Sequence, residues 1–242
     1  EIRNRVPSLP DLDPTKMTTL ETLGEIDTYI QGVSGQGGAP PVEEKLEAPE
    51  ILDGPPLAPL GRHLVVPAPA PPIGLAMAGL ARASEVLVTE DESGVATALV
   101  TALGRRGIHA RTLPVDQIPA EAEAVVYLGG LCEDASPDRA MALSLEALGL
   151  ARTLAPTYTE RGGVFLLVQA TGGDFGLRGS ERAWLAGPGG LAKTASLEWP
   201  EASVRVLDIE RGERSADDLA EALADELVCG GTEIEVGLRA NG

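Results

Sequence analysis

From residue 84 onward the chain switches repeatedly between short apolar runs and longer stretches with apolar residues every three or four positions, the signatures of strand and helix. Val86-Leu87-Val88 is an unbroken apolar run of the kind found in a strand buried on both faces. Thr97 to Arg106 predicts a helix that Gly107 ends, and His109 to Leu113 predicts a second strand. The series continues with a strand over Ala124–Leu128, a helix of several turns over Pro137–Tyr158 carrying Leu143, Leu150 and Leu154, and a largely apolar strand over Gly163–Ala170. A helix follows over Leu191–Trp199, with Gly187-Pro188-Gly189-Gly190 breaking the chain before it and Pro200 after it. Val204–Ile209 reads as a strand, Asp217–Val228 as a helix ended by Gly230-Gly231, and Glu233–Leu238 as a last strand. Strand and helix in alternation imply right-handed βαβ crossovers, hence an α/β fold with a doubly wound, mostly parallel sheet.

Upstream the periodicity weakens. Gly61–Val66 reads as an opening strand, and the Pro67-Ala68-Pro69-Ala70-Pro71-Pro72 run after it cannot continue a sheet ladder, so it reads as an extended connector. Residues 32–56 combine GVSGQGGAPP with a solvated charge run, the composition of a flexible linker. Residues 1–31 read as a small helical unit, with Asp13 as a cap, Pro14 in the first turn and a last helix through Tyr29 and Ile30. So short a unit cannot bury a core of its own. The expected organisation is therefore a helical segment over 1–31, a linker over 32–56 and a main domain over 57–242. The start at Glu1-Ile2-Arg3, neither a methionine nor a signal peptide, is that of a piece cut from a longer polypeptide.

Composition narrows the functional classes. Only 3% of the 242 residues are aromatic, so the core must be built from Val, Leu, Ile and Ala. The formal net charge of −18 argues against holding nucleic acid or an anionic membrane by bulk electrostatics. Cys132 and Cys229 form no CxxC pattern, and with His63 and His109 as the two histidines there is little material for a metal centre or a histidine-based triad. No apolar stretch is long enough to span a membrane, and two free thiols fit a reducing cytoplasm, the expected location.

The candidate chemistry sits in the turn after the first strand. A dinucleotide-binding protein needs glycines there, so that backbone can approach a pyrophosphate at the following helix N-terminus. Here the turn is Glu90-Asp91-Glu92-Ser93-Gly94-Val95-Ala96, with three acids and one glycine.

The order and character of the segments resemble the short-chain dehydrogenase/reductase fold, whose first turn has the form TGxxxGxG. Thr89 to Ala96 lines up with it, but only the middle glycine, Gly94, is kept; Glu90 and Ala96 stand at the other two glycine positions. The family's catalytic Tyr-x-x-x-Lys is absent: four residues after Tyr29, Tyr127 and Tyr158 stand Val33, Leu131 and Gly162. Lys193 falls where relatives carry a non-catalytic basic residue, and Thr171 roughly where they carry a catalytic serine. The segment GGLAKTASLEWPEASVRVLDIE, with a helix and EIEVGLRANG after it, looks like the second half of the structural subdomain of a ketoreductase from a type I polyketide synthase or polyunsaturated fatty acid synthase. That resemblance implies a truncated pseudo-Rossmann unit that binds no cofactor, has no catalytic residue, and supports a catalytic subdomain following in the same polypeptide. It assigns NADPH and phosphopantetheine to the parent synthase. Residues 1–31 are similar to the last helices of an acyl carrier domain; the Asp-Ser-Leu that bears the arm is missing, and Ser8 lies in Pro-Ser-Leu-Pro. Acyl carrier domains are accordingly implied as further partners. Two other readings stand beside this one: a free-standing, divergent short-chain dehydrogenase/reductase, and a carrier-associated docking or scaffold module acting through residues 1–56.

Overall fold

The computed structural model describes residues 64–240 together with Lys16 and Tyr29. Apart from those two residues, the expected carrier remnant over 1–31 and the linker over 32–56 lie outside the described residues, as do the first residues of the main domain.

Six strands form one parallel sheet: β1 (Val86–Thr89), β2 (Ala110–Leu113), β3 (Ala124–Gly130), β4 (Val164–Gln169), β5 (Ser203–Ile209) and β6 (Glu235–Leu238), in the order β2-β1-β3-β4-β5-β6. Four helices connect them: α1 (Val95–Arg105), α2 (Pro137–Arg161), α3 (Gly187–Glu198) and α4 (Ala216–Cys229), with short 3-10 turns at Val115–Gln117 and Ala183–Ala186. Successive strand residues point to opposite faces, and both faces are covered. Val88, Val126, Leu166 and Leu207 pack with Leu99 and Leu103 of α1 and Leu223 and Leu227 of α4. Leu87, Val125, Phe165 and Val206 pack with Leu150 and Leu154 of α2 and with Ala192 and Trp199 around α3. Burial on both faces is why these strands read as continuous apolar runs rather than as alternating ones. The fold is α/β, a parallel Rossmann-like sheet between two helical layers.

The scarce aromatics are concentrated under α2 and α3. Tyr158 meets Trp199 edge-on with ring centroids 5.4 Å apart and Phe165 at 6.5 Å. On the other flank the guanidinium of Arg205, fully buried in β5, donates to the carbonyls of Glu226, Gly231 and Glu233 and to the Glu226 carboxylate, tying the end of α4 to the approach to β6.

Two expectations are corrected. Leu64–Val66 form no strand; they are extended chain, 88%, 80% and 71% exposed. β propensity makes a ladder only where an edge is available to pair with, and the first described residues to bond to the body are Gly74 and Leu75, against Cys229 and Gly231. The second correction concerns α3, which starts at Gly187 rather than after the Gly-Pro-Gly-Gly run. Proline is tolerated in a first turn, and tertiary packing requires small residues there. A Cβ on Gly187 would stand 2.3 Å from Ser144 Oγ on α2, and the Gly189 N–H donates to Gln169 Oε1 in β4.

Candidate functional site

Open parallel sheets bind ligands at the carboxyl ends of strands, where neighbouring crossovers leave to opposite faces. Here that point lies between β1 and β3, because α1 packs on one face and α2 on the other. The mouth is formed by Thr89, by the turn from Glu90 to Ala96 and by the residues that follow β3.

Asp91 dominates this mouth. Its Oδ2 accepts from the Ser93 N–H (2.9 Å), the Ser93 hydroxyl (2.5 Å) and the Val95 N–H (3.2 Å), and its Oδ1 accepts from the Ala96 N–H (2.8 Å). The first turn of a helix has N–H groups without intrahelical partners and carries the positive end of the helix dipole. Those donors are what a bound pyrophosphate uses in a dinucleotide site, and here a side chain of the protein takes them. Gly94 permits the arrangement through its backbone: its φ is +82°, while a Cβ there would meet nothing within 4 Å. Glu90 and Glu92 are exposed, and Glu92 reaches Arg139 at 3.8 Å. Ala96, at the position of the family's third glycine, is buried in the first turn of α1.

A dinucleotide phosphate does not fit these residues. It would have to displace Asp91 from its donors or sit against it, and two unit charges about 4 Å apart repel by about 4 kcal/mol at an effective dielectric of 20. At the ends of the paired strands β1 and β3 the Leu128 N–H donates to the buried Thr89 hydroxyl oxygen at 2.9 Å.

The other sequence-nominated side chains are engaged in structural contacts. Tyr127 and Tyr158 are buried; their hydroxyls donate to the carbonyls of Leu143 and Val164, and burial pushes both phenols well above their ordinary range. Lys193 pairs with Glu235 at 3.0 Å on the surface. Thr171 is buried at the end of β4, and its N–H and hydroxyl both donate to Asp208 Oδ1, at 2.6 and 2.8 Å. The other oxygen of Asp208 accepts from the Phe175 N–H at 2.6 Å, so one carboxylate braces the loop after β4. Among the described residues no group of His, Cys, Asp and Glu could hold a metal ion, and Cys132 and Cys229 are free thiols.

Asp208, Gln169 and Arg205 were not singled out by sequence reasoning. The available signal was a polar residue inside an apolar strand run, in LLVQA and VRVLDI. A cleft of about 470 Å³ opens beyond the ends of β4 and β5 and includes Arg182 and Arg211. Both guanidiniums donate to main-chain carbonyls around it: Arg182 to Ala170, Cys132 and Glu133, and Arg211 to Leu131.

No family model matches the chain, and no curated protein matches it. Solved structures do. They include a short-chain dehydrogenase from Burkholderia cenocepacia J2315 in complex with NADP (17% identity, 67% of this chain and 90% of that one, TM-score 0.46). A short-chain dehydrogenase/reductase from Vibrio parahaemolyticus is similar at 14% identity (64% and 98% covered, TM-score 0.45). An alcohol dehydrogenase from the archaeon Thermococcus sibiricus, complexed with 5-hydroxy-NADP, is similar at 16% identity (64% and 94% covered, TM-score 0.41). Likeness at these values fixes neither activity nor ligand; this chain is a Rossmann-like α/β protein whose solved neighbours include short-chain dehydrogenases and reductases.

Proposed function

We propose that the chain is a non-catalytic structural subdomain that supports the NADPH-dependent ketoreductase half of a multidomain polyketide or polyunsaturated fatty acid synthase. The observation that carries this reading is Asp91. A carboxylate built into the first turn of α1 takes the donors on which a cofactor phosphate depends, so the strand–turn–helix unit serves as a packing element. The absence of a Tyr-x-x-x-Lys pair and the enclosure of Tyr127, Tyr158 and Thr171 support the same conclusion. On this reading NADPH is bound by the catalytic subdomain that follows in the polypeptide and phosphopantetheine by acyl carrier domains, with residues 1–31 the end of one carrier and 32–56 its tether. The parent reduces β-ketoacyl thioesters in the cytoplasm, and the apolar, exposed Leu64-Val65-Val66 is surface that a covalently attached partner can cover.

The test is reconstitution. A separately produced catalytic half should gain thermal stability and ketoreductase rate when this chain is added; no gain in either overturns the proposal. In parallel, calorimetric titration of this chain with NADPH should give no saturable heat. Tight, saturable binding would favour a free-standing divergent reductase instead.

A further inference from the structure

The described chain opens on an apolar run that its own fold leaves uncovered. Leu64–Ile73 reads LVVPAPAPPI, without one polar side chain in a chain whose residues are 23% charged, and every residue of the run is exposed. Proline fixes its own φ at about −65° and holds the residue before it in extended backbone. Every residue from Val66 to Pro72 is either a proline or precedes one, which restricts the segment to a polyproline II helix ~22 Å long at about 3.1 Å per residue. That conformation needs no internal hydrogen bond, and among the described residues none reaches Leu64–Ile73. Its far end is anchored. The side chain of Ile73 lies over Gly231, where a Cβ would stand 2.8 Å from Ile73 Cγ1. The Gly74 N–H donates to the Cys229 carbonyl at 3.0 Å, and the Gly231 N–H to the Leu75 carbonyl at 2.9 Å. The run is thereby displayed from the end of α4 and the loop after it.

We propose that Val66–Pro72 is a docking peptide for a separate protein module whose groove is lined by aromatic side chains and rimmed by basic ones. A polyproline II helix has three residues per turn, so Val66, Pro69 and Pro72 share one edge, and Pro69 and Pro72 have the Pro-x-x-Pro spacing that such grooves take. The free carbonyls of the run are acceptors for indole or phenol donors in the groove. Because the prolines have already set the backbone, little conformational freedom is lost on docking. A neighbouring β-strand is a poorer occupant, since Pro67, Pro69, Pro71 and Pro72 have no N–H to give to a ladder. A second copy of this chain cannot supply the groove. Its Tyr127, Tyr158, Phe165 and Trp199 are buried, and Trp184 alone among the described aromatics is exposed. Charge sets the rim: the run is neutral, but the chain that carries it has a net charge of −18, which attracts a basic rim and repels an acidic one. This goes beyond the supporting role proposed above and does not depend on it.

The test uses three probes: an isolated SH3 domain, a WW domain and an EVH1 domain, each with a basic groove rim. Each is isotope-labelled and titrated with the unlabelled 242-residue chain while its amide spectrum is followed. At least one should show saturable shifts confined to its groove, with a dissociation constant of about 1–100 μM that rises with added salt. Pro69→Ala combined with Pro72→Ala should weaken that binding by at least about tenfold, and Pro67→Ala, on another edge, by less than about twofold. All these prolines are exposed and outside the core, so the melting temperature should not change. Silence from all three domains up to about 1 mM overturns the proposal, as does binding that the double substitution leaves unmoved. Displacement of the bound domain by a separately made catalytic half overturns it too, by naming a different occupant.

Discussion

Replacing Asp91 by alanine separates a helix-capping role from mere tolerance of acids in the turn. Three backbone N–H groups and the Ser93 hydroxyl would lose their acceptor. Deleting a side-chain cap at a helix N-terminus costs about 0.5–2 kcal/mol, and removing a negative charge from that end costs a further ~0.3–1 kcal/mol. Val95 and Ala96 are buried, so their N–H groups are only partly compensated by water, which places the sum at about 2 kcal/mol. In a domain of this size that is a fall in melting temperature of roughly 4–8 °C. Urea unfolding should show the loss in midpoint at unchanged slope. Asp91→Asn keeps an acceptor and should lose about half as much, whereas Glu92→Ala, which removes an exposed pair at 3.8 Å, should change stability by less than about 0.5 kcal/mol. Sulfate should stabilise Asp91→Ala more than the wild type, because the vacated donors then accept an external anion. The reasoning fails if Asp91→Ala lies within about 0.5 kcal/mol of wild type, or if Glu92→Ala costs as much.

Further outcomes are expected elsewhere in the fold. Arg205→Met removes the donor shared by the carbonyls of Glu226, Gly231 and Glu233 and leaves the buried Glu226 carboxyl without its partner, and should cost about 3–5 kcal/mol by urea unfolding. Burial pushes the Glu226 carboxyl above its ordinary 4.5, so the stability it contributes is complete below that value and is lost as pH rises through the folded-state pKa. Glu226→Gln should therefore gain on the wild type as pH rises above 4.5 in denaturant titrations; a relative loss on that rise refutes the assignment. Trp199→Ala empties the centre of the aromatic cluster and should cost about 3–5 kcal/mol, read as the loss in urea midpoint. Gly187→Ala should cost about 1–2 kcal/mol through its contact with Ser144, and less in a Ser144→Ala background, as a double-mutant cycle would measure.

What could be read from the sequence follows the range of the interactions involved. The four inner strands were legible because burial on both faces leaves apolar runs such as Val86–Val88 and Val164–Val168, which need no knowledge of their neighbours, whereas the half-buried edge strands β2 and β6 were legible by their place in the strand–helix alternation. The first turn of α3 was not legible. Gly-Pro-Gly-Gly looks like a break until Ser144, forty-three residues upstream, is seen to occupy the space of the missing side chain. Leu64–Val66 failed in the opposite sense, since strand propensity is local and a pairing edge is not. The acids of the turn were legible as acids standing where a cofactor phosphate needs glycine. Their inequality was not, because Glu90, Asp91 and Glu92 differ only in where their carboxylates reach.

That inequality extends around the whole carboxyl edge of the sheet. In a cofactor-binding sheet this edge presents backbone donors and side-chain hydroxyls to a ligand. Here Asp91 takes the donors of α1, Thr89 binds β1 to β3, Asp208 holds Thr171 and the Phe175 amide, and Arg182 draws together the ends of β3 and β4. Each of these side chains is held by hydrogen bonds within the chain itself. Every buried side-chain nitrogen and oxygen among the described residues has a hydrogen-bond partner. Buried polar groups with partners add rigidity, whereas a binding site before ligation keeps groups whose partners are still to arrive. Turning those groups inward trades binding capacity for stiffness along one edge, and stiffness is what the proposed supporting role would ask of this domain.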